Sequence, residues 1–550
     1  MEEIGELCLA WMSFIGAAIG IRKGIHFSVQ MITDRLPARV RLAVFTIHYL
    51  LIAAFGALVA VFGWRVAELN SQSWSPALDL NLRWLYLSSV VGGALIVIYS
   101  LASIADGWRG RWPGCRAPRG TEPCCSARSG CRSSSSPHCR CPSSSPSASR
   151  DSSGSSIGNF SLEKLPSSLV AGTQHWVLLA IPTFVFAGNL MERCGMSYAL
   201  VNLARVLVGW VRGGLGMSVV LAEYFFSGIS GSTIADVSAI GSMLTPPMLR
   251  AGYKPEHAVS LVASASAMGI LVPPAIFMIV LGQITDTSVV GIFLGGFIPA
   301  AVSALCLMAV ILLQAHRLHW PKDEPPTWPR FIEAGRASLV PLVVPVIIVL
   351  GFFFGVFTAT EAGALVAAYA MAAAFFYYKN VTWREMLKLI YESALLTAAV
   401  IFLLAVASVY QFLMGMLGVP RMLGELLGPL ASTPWLFLVA VSLIVILFGM
   451  VLEGLPAAVV LVPVVFPIAK EVGIHPVHFN IVLTAAVGIG LFLPPIGVGL
   501  LMALRFANIS VGQHFKAYWP YLLALLAGLL LLIVFPGITL FLPRWAGVIR

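Results

Sequence analysis

Apolar residues gather in long continuous blocks along this chain. Three blocks open it, at residues 4–21, 42–63 and 84–105. Ten more lie near 176–191, 214–226, 257–281, 288–315, 337–357, 361–377, 391–415, 433–452, 477–503 and 519–542. A helix of about 20 apolar residues crosses the hydrocarbon layer of a bilayer. The pattern therefore predicts an all-α integral membrane protein of about a dozen spans.

The charges between the blocks orient them. The loop after the first block carries Arg22, Lys23, Arg35, Arg39 and Arg41 against Asp34. The loop after the second balances Arg65 and Arg83 with Glu68 and Asp79, and Arg109, Arg111, Arg116 and Arg119 follow the third. Basic loops stay in the cytoplasm, which puts 22–41 and the region after 106 there. Loop 316–336 (Arg317, Lys322, Arg330, Arg336) and segment 378–388 (Lys379, Arg384, Lys388) are separated by two blocks that turn at Thr358-Ala359-Thr360-Glu361. Both are again cytoplasmic.

Residues 111–158 interrupt the pattern and divide the chain into 1–110, 111–158 and 159–550. The interruption is rich in Ser, Arg, Pro, Cys and Gly and holds six of the nine cysteines: Cys115, Cys124, Cys125, Cys131, Cys139 and Cys141. It lacks the apolar surface needed to offset the entropy of ordering. Its cysteines lack the paired C-x-x-C spacing of a zinc site. Two readings stay open: a disordered cytoplasmic linker, or a stretch translated out of frame.

An internal repeat carries the functional signal. Residues 246–282 and 467–503 align without gaps at an offset of 221 (467 minus 246). Pro246 then matches Pro467, Gly252 matches Gly473, Pro255 matches Pro476 and Gly269 matches Gly490. Pro273 and Pro274 match Pro494 and Pro495. Each repeat holds a helix interrupted by Gly-x-x-x-Pro-Pro. Two adjacent prolines remove two backbone donors and free the carbonyls upstream. In hydrocarbon such groups are tolerated only where they line a protein cavity or bind something. Broken helices at corresponding positions of two halves point to a transporter binding site; a single break would read as an ordinary proline kink.

A second irregular stretch precedes each break. It is Ser227-Gly228-Ile229-Ser230-Gly231-Ser232-Thr233-Ile234-Ala235-Asp236 in the first half and Glu453-Gly454-Leu455-Pro456 in the second. Small and hydroxyl residues inside an apolar region suit a re-entrant hairpin. Asp236 and Glu453 cost about 3 kcal/mol each inside a bilayer, unless each is a helix-end carboxylate near water.

Composition removes other classes. The 550 residues are 58% hydrophobic and 11% charged, with a mean hydropathy of +0.89. Soluble domains hold about 25% charged residues, so this chain is not a soluble enzyme. The net charge of +10 sits in short loops without interleaved aromatics, which argues against nucleic acid. No cleavable signal peptide is visible, and no G-x-x-x-x-G-K-[ST] supports ATP-driven pumping. A channel would need a polar pore stripe, which is absent. A membrane-embedded enzyme would need convergent histidines and carboxylates. His257, His475 and His478 stand at unmatched offsets and read as interfacial.

With these residues in place, the chain resembles the tripartite ATP-independent periplasmic (TRAP) transporters, in the form that fuses small and large membrane subunits. Residues 1–108 resemble the small subunit through Trp11-Met12-Ser13-Phe14-Ile15-Gly16-Ala17, Arg22-Lys23-Gly24-Ile25-His26 and Asp34-Arg35-Leu36-Pro37. Residues from about 160 onward resemble the large one through Ala180-Ile181-Pro182, Ala187-Gly188, Gly228-Ile229-Ser230-Gly231-Ser232, Ala235-Asp236, Thr358-Ala359-Thr360-Glu361-Ala362 and the two Gly…Pro-Pro breaks. The resemblance implies an elevator-type fold with inverted repeats, two re-entrant hairpins and two broken helices, plus a small helical membrane subunit. It implies sodium-coupled import of an organic anion across the bacterial inner membrane: a carboxylate such as a C4-dicarboxylate, a keto acid or a sugar acid. A periplasmic substrate-binding protein would deliver it; the alternative is an ion-coupled anion transporter that works without one. No cofactor is implied beyond sodium as coupling ion. Family small subunits begin with one more helix before the position of Glu2-Glu3, and the large subunit's first helix is expected before residue 160.

The substrate and ion site implied in the first half comprises Ser230, Gly231, Ser232, Thr233, Asp236, Ser264, Ser266, Gly269, Pro273 and Pro274. In the second half it comprises Glu453, Gly454, Thr484, Gly488, Gly490, Pro494 and Pro495. Sodium is expected through Ser230, Ser232, Gly269 and Gly490. Arg505 is a possible added partner for the anion, with a loop-facing position as its plain alternative.

The composition of 111–158 yields a first prediction. Six cysteines have no use in a reducing cytoplasmic linker, and two compensating frame changes explain both abrupt edges. Translating the underlying DNA in the other two frames should reveal an apolar span of about 20 residues. If neither frame contains one, the segment is a genuine insertion.

Overall fold

The computed structural model describes residues 2–23, 38–75, 79, 81–108, 156–157, 160–161, 163–230, 233–426, 433–507 and 509–549. Segment 111–158 lies outside these, apart from Ser156–Ile157 (β1), which pairs antiparallel with Phe160–Ser161 (β2). All other regular elements among the described residues are helical.

Three long helices come first: α1 (Glu2–Lys23), α2 (Ala38–Leu69) and α3 (Arg83–Trp108). Then come α4 (Lys164–Ala171) and α5 (Ala180–Arg193), parts of a pair bent by 54°, and the short α6 (Met196–Val208). The first repeat is α7 (Gly214–Ser230), α8 (Thr233–Arg250), α9 (Pro255–Gly269) and α10 (Ile276–Ile284). Four helices connect the repeats: α11 (Val289–Arg317), α12 (Trp328–Phe353), α13 (Ala359–Ala372) and α14 (Trp383–Met416). After the short α15 (Val419–Leu426), the second repeat is α16 (Pro434–Leu452), α17 (Gly454–Glu471), α18 (Pro476–Leu491) and α19 (Val498–Ala507). The chain closes with α20 (Val511–Val534) and α21 (Gly537–Trp545).

The repeat expected from prolines and glycines is a repeat of whole helices. Adding 221 to the bounds of α8 (233 and 250) gives 454 and 471, the bounds of α17. The starts of α9 and α18, residues 255 and 476, differ by the same amount. The sense of insertion is opposite in the two halves. With loops 316–336 and 378–388 cytoplasmic, α11 runs inward, so α9–α10 began on the cytoplasmic side. Helix α14 then runs outward, so α18–α19 begins on the far side. That is an inverted repeat.

Ten described helices are long and apolar enough to cross a membrane, or eleven if the bent pair counts as one span. Large apolar side chains cover their outer faces, Leu313 being 66% and Phe376 79% exposed. That exposure suits lipid, not water. The broken helices are the opposite case: α9 is buried at every residue from Ala258 to Gly269, and α18 from Val477 to Leu491. Capping boxes at Thr358/Glu361 and Thr382/Glu385 start α13 and α14, so the sequence turn at 358–361 is a helix cap.

The irregular stretches are shorter than their composition predicts. Helix α7 continues through Ser227 to Ser230, and the description resumes in α8 at Thr233. In the second half Glu453 alone separates α16 from α17. Glycine and serine stay helical here because the neighbouring helices pack closely around them.

The first of the three N-terminal helices, α1, braces α14. A Cβ on Gly16 would overlap the Cβ of Ala398, and the Phe14 ring meets Phe402 edge-on at 6.0 Å. Small residues are how helices approach in lipid. Replacing Gly16 with leucine should therefore destabilise this contact by about 1–3 kcal/mol. The expected readout is a lower melting temperature in detergent and a broadened size-exclusion peak. An unchanged melt would mean that α1 does not brace α14.

Candidate functional site

Each hairpin packs against the broken helix of its own half. In the first half, a Cβ on Gly228 would lie 2.6 Å from the Pro273 carbonyl oxygen. In the second, a Cβ on Gly454 would lie 2.8 Å from Val487 Cγ1, 3.6 Å from Leu491 and 3.9 Å from Phe277. Gly228 of α7 and Gly454 at the start of α17 are thus each seated on a broken helix. The peptides Pro273-Pro274 and Pro494-Pro495 are both cis.

The broken helices α9 and α18 touch through equivalent residues. A Cβ on Gly488 would collide with the Ala267 carbonyl oxygen, and 267 plus 221 is 488. Contact between equivalent residues is what a two-fold axis requires, so a pseudo-two-fold axis passes between Ala267 and Gly488. A Cβ on Gly490 would likewise stand 2.6 Å from the Ile446 carbonyl oxygen of α16.

The sequence-selected residues fall into distinct groups. Asp236 is fully buried and accepts a hydrogen bond from the Ser227 hydroxyl at 2.6 Å, which removes the reading of a helix-end carboxylate near water. Ser266 donates to the Glu223 carboxylate. A Cβ on Gly269 would sit 2.9 Å from Ser227 Oγ and 3.3 Å from Glu223 Oε2. Glu223, Ser227, Asp236, Ser266 and Gly269 therefore form one polar cluster. Ser264 and Thr484 are buried too, but their hydroxyls donate to carbonyls of their own helices, Ser260 at 2.8 Å and Asn480 at 2.7 Å. Thr233 begins α8 and is half-buried; Ser230 ends α7; Gly231 and Ser232 lie outside the described residues. Glu453 is half-buried between α16 and α17. Arg505, in the last turn of α19, is exposed.

Glu223 and Ser227 were not selected from the sequence as ligands. The available signal was a glutamate inside the apolar block 214–226, since an ionisable residue in a membrane span is a functional candidate by default. His478, read as interfacial, is instead buried, with its Nδ1 2.8 Å from the Thr539 hydroxyl. It ties α18 to α21.

A cavity of about 790 Å³ adjoins the first hairpin. Its walls include Asn189 and Arg193 of α5, Ala235 and Ser238 of α8, Ile276 at the start of α10, and Glu392 of α14. It runs from the break beside Ile276 to the end of α14 that the basic loops place in the cytoplasm. Beside it, α5 and α14 are clamped by Arg193–Glu385 at 2.7 Å and by Asn189 donating to Ser393 at 2.9 Å.

Comparison with known proteins agrees with this geometry. Residues 155–538 match the model of the "Tripartite ATP-independent periplasmic transporter, DctM component", and residues 1–110 that of the DctQ component. The chain is 34% identical over 387 residues to the C4-dicarboxylate TRAP transporter large permease protein DctM of Pseudomonas aeruginosa, covering 70% of this chain and 91% of that protein. It is 33% identical over 386 residues to the 2,3-diketo-L-gulonate TRAP transporter large permease protein YiaN of Escherichia coli, at 70% and 91% coverage. It is 32% identical over 365 residues to the isethionate TRAP transporter permease protein DctMQ of Oleidesulfovibrio alaskensis, covering 66% of this chain and 58% of that protein. The chain belongs to the TRAP transporter permeases, multi-pass proteins of the bacterial inner membrane, and is not an enzyme.

Glu453 has φ 65° and ψ 159°, a backbone region that suits glycine and costs another residue about 1–3 kcal/mol. Glu453→Gly should relieve that strain and melt above Glu453→Ala, which keeps it. If the carboxylate also serves the site, both variants should lose transport. A glycine variant that is no more stable than the alanine variant contradicts the strain. One that transports normally makes the carboxylate dispensable.

Proposed function

We propose, with that membership as the premise, that this chain is the membrane permease of a sodium-coupled importer of a small organic anion handed over by a periplasmic binding protein. The observation that carries the reading is the meeting of two inverted broken helices at Ala267 and Gly488, with a cavity leading from the first break to the cytoplasmic face. Broken helices around such an axis are how secondary transporters hold substrate and ion together.

The relatives' names support a substrate class. C4-dicarboxylate, 2,3-diketo-L-gulonate and isethionate are all small organic anions. For this chain we infer an anion of that class, received near the N-terminal end of α10 at Ile276, where helix-dipole charge is positive. Arg193 lines the cavity between that point and the cytoplasm. A cavity on the cytoplasmic side corresponds to an inward-facing state.

Sodium fits the oxygen-only chemistry of the breaks. Pro273-Pro274 and Pro494-Pro495 lack backbone donors; the Gly269 and Gly490 carbonyls accept one hydrogen bond each, from the N–H of Val272 at 2.8 Å and of Leu493 at 3.1 Å, and a second lone pair on each would serve a small hard cation. Ser230 and Ser232 would add hydroxyl oxygens from the first hairpin. The moving part would be the two hairpins with the two broken helices, sliding as an elevator along a scaffold that α14 and the N-terminal helices form. The bracing of α14 by α1, and its clamp to α5, support a rigid scaffold.

In proteoliposomes supplied with a cognate binding protein, uptake should require an inward sodium gradient and no ATP. Replacing sodium with potassium should abolish it. Uptake unaffected by that replacement contradicts sodium coupling, and uptake without any binding protein contradicts the tripartite arrangement.

A further inference from the structure

The first repeat is joined to the rest of the chain at the cytoplasmic face. Helices α6, α12 and α13 are fastened together there. The Ser338 hydroxyl of α12 donates to the Ala199 carbonyl of α6 at 2.9 Å, and the Tyr369 hydroxyl of α13 donates to the Val340 carbonyl of α12 at 2.9 Å. A Cβ on Gly363 of α13 would overlap Thr183 of α5, the helix that is clamped to α14. These helices therefore belong with the scaffold. Two connections run between them and the first repeat: the turn 209–213 from α6 to α7, and the strap 318–327 from α11 to α12.

Both connections change partner within a few residues. Trp320 of the strap is 5% exposed and packs on the first repeat. Its ring lies 4.6 Å from that of Tyr253, in the turn between α8 and α9, and meets His257 of α9 edge-on at 5.6 Å. The next carbonyl, of Pro321, accepts from the Gly213 N–H at 3.3 Å, on the α7 side of the turn. Two residues later the strap is tied to α6 instead. The Asp323 carboxylate pairs with Arg205 Nε at 2.7 Å, and the Asp323 N–H donates to the Gly209 carbonyl at 3.1 Å. The seam between moving body and scaffold thus crosses the strap between Pro321 and Asp323, and crosses the turn between Gly209 and Gly213. Gly213 has φ 76°, a conformation that glycine adopts freely.

The strap cannot keep both ties while one body slides past the other. Residues 320–323 reach about 11 Å when fully extended, so a slide longer than their slack pulls one end free. A tryptophan buried against two rings is held by a large apolar area. A partly exposed ion pair is worth little, and the Arg205 and Asp323 side chains are 39% and 31% exposed. A cavity of about 180 Å³, lined by both residues with Glu324 and Arg330, adjoins them, so water meets the charges as they part. The ion pair is the tie that gives. We propose that Arg205–Asp323 is a latch that holds the moving body in the inward-facing position and opens in each transport cycle, with the turn 209–213 as its hinge. The inference rests on the elevator reading above and adds to it the contact that must break.

The test uses the full chain in proteoliposomes, with its nine native cysteines replaced by serine. Ser238→Cys, on the moving wall of the cavity, reports position through labelling by a membrane-impermeant maleimide applied from either side. With the latch intact, cytoplasmic labelling should dominate. Asp323→Asn should lower the ratio of cytoplasmic to periplasmic labelling about two- to fivefold, the size expected for a partly exposed pair, and Arg205→Asp with Asp323→Arg should restore it. Arg205→His with Asp323→His adds two ligands that zinc bridges. Zinc should then abolish periplasmic labelling, and EDTA should bring it back. This arm decides the matter if the asparagine variant does not fold. An asparagine variant with the original labelling ratio, or a zinc-bridged protein still labelled from both sides, makes the pair a static brace and overturns the latch while the elevator stands. Cytoplasmic labelling alone in every variant, with and without sodium, overturns the elevator and the latch with it.

Discussion

Everything in this structure depends on one constraint. A backbone that stops being helical inside a bilayer must be wrapped by protein, because lipid offers no hydrogen-bond partner. Two interruptions six residues long, 270–275 and 492–497, are tolerable only because α9 and α18 are buried along nearly their whole lengths. Each repeat supplies part of the wrapping for the other. Their contact between the Ala267 carbonyl and Gly488 admits no side chain on the α18 side. The hairpins complete the enclosure by seating Gly228 on Pro273 and Gly454 on Val487.

On that symmetric frame the chemistry is asymmetric. The first half concentrates two carboxylates and two hydroxyls at Gly269, whereas the second half places a single glutamate at a strained hairpin tip. The frame is held from outside by a stiff partner. Helix α14 is pinned to α5 by Asn189–Ser393 and Arg193–Glu385, and to the N-terminal helices through Gly16–Ala398. The cavity lies between this pinned wall and the first hairpin, the gap that movement of one body past another would open and close.

Much of this was legible in the sequence because prolines and glycines act locally. Pro273-Pro274 and Pro494-Pro495 dictate where a helix stops, whatever surrounds them, so the breaks and their repeat could be read directly. The hairpins were legible in place but not in extent. Composition suggested ten irregular residues, 227–236, and the eight of them that are described are helical. Glu223 escaped notice because its importance comes from Ser266 and Gly269, more than 40 positions away in sequence and adjacent only in space. His478 was misjudged for the same reason, since its partner Thr539 belongs to α21. Periodicity reports which face is apolar; it does not report which polar groups converge.

The central claim is that the wrapped breaks are the place where the coupling ion binds. Hydrogen–deuterium exchange of the purified chain, compared in sodium and in potassium at equal ionic strength, tests it directly, because an ion held by backbone carbonyls slows local opening. The account predicts sodium-specific protection confined to peptides covering 223–236, 264–276 and 484–498, with α14 and the N-terminal helices unchanged. Exchange at those peptides that is identical in the two salts would contradict it.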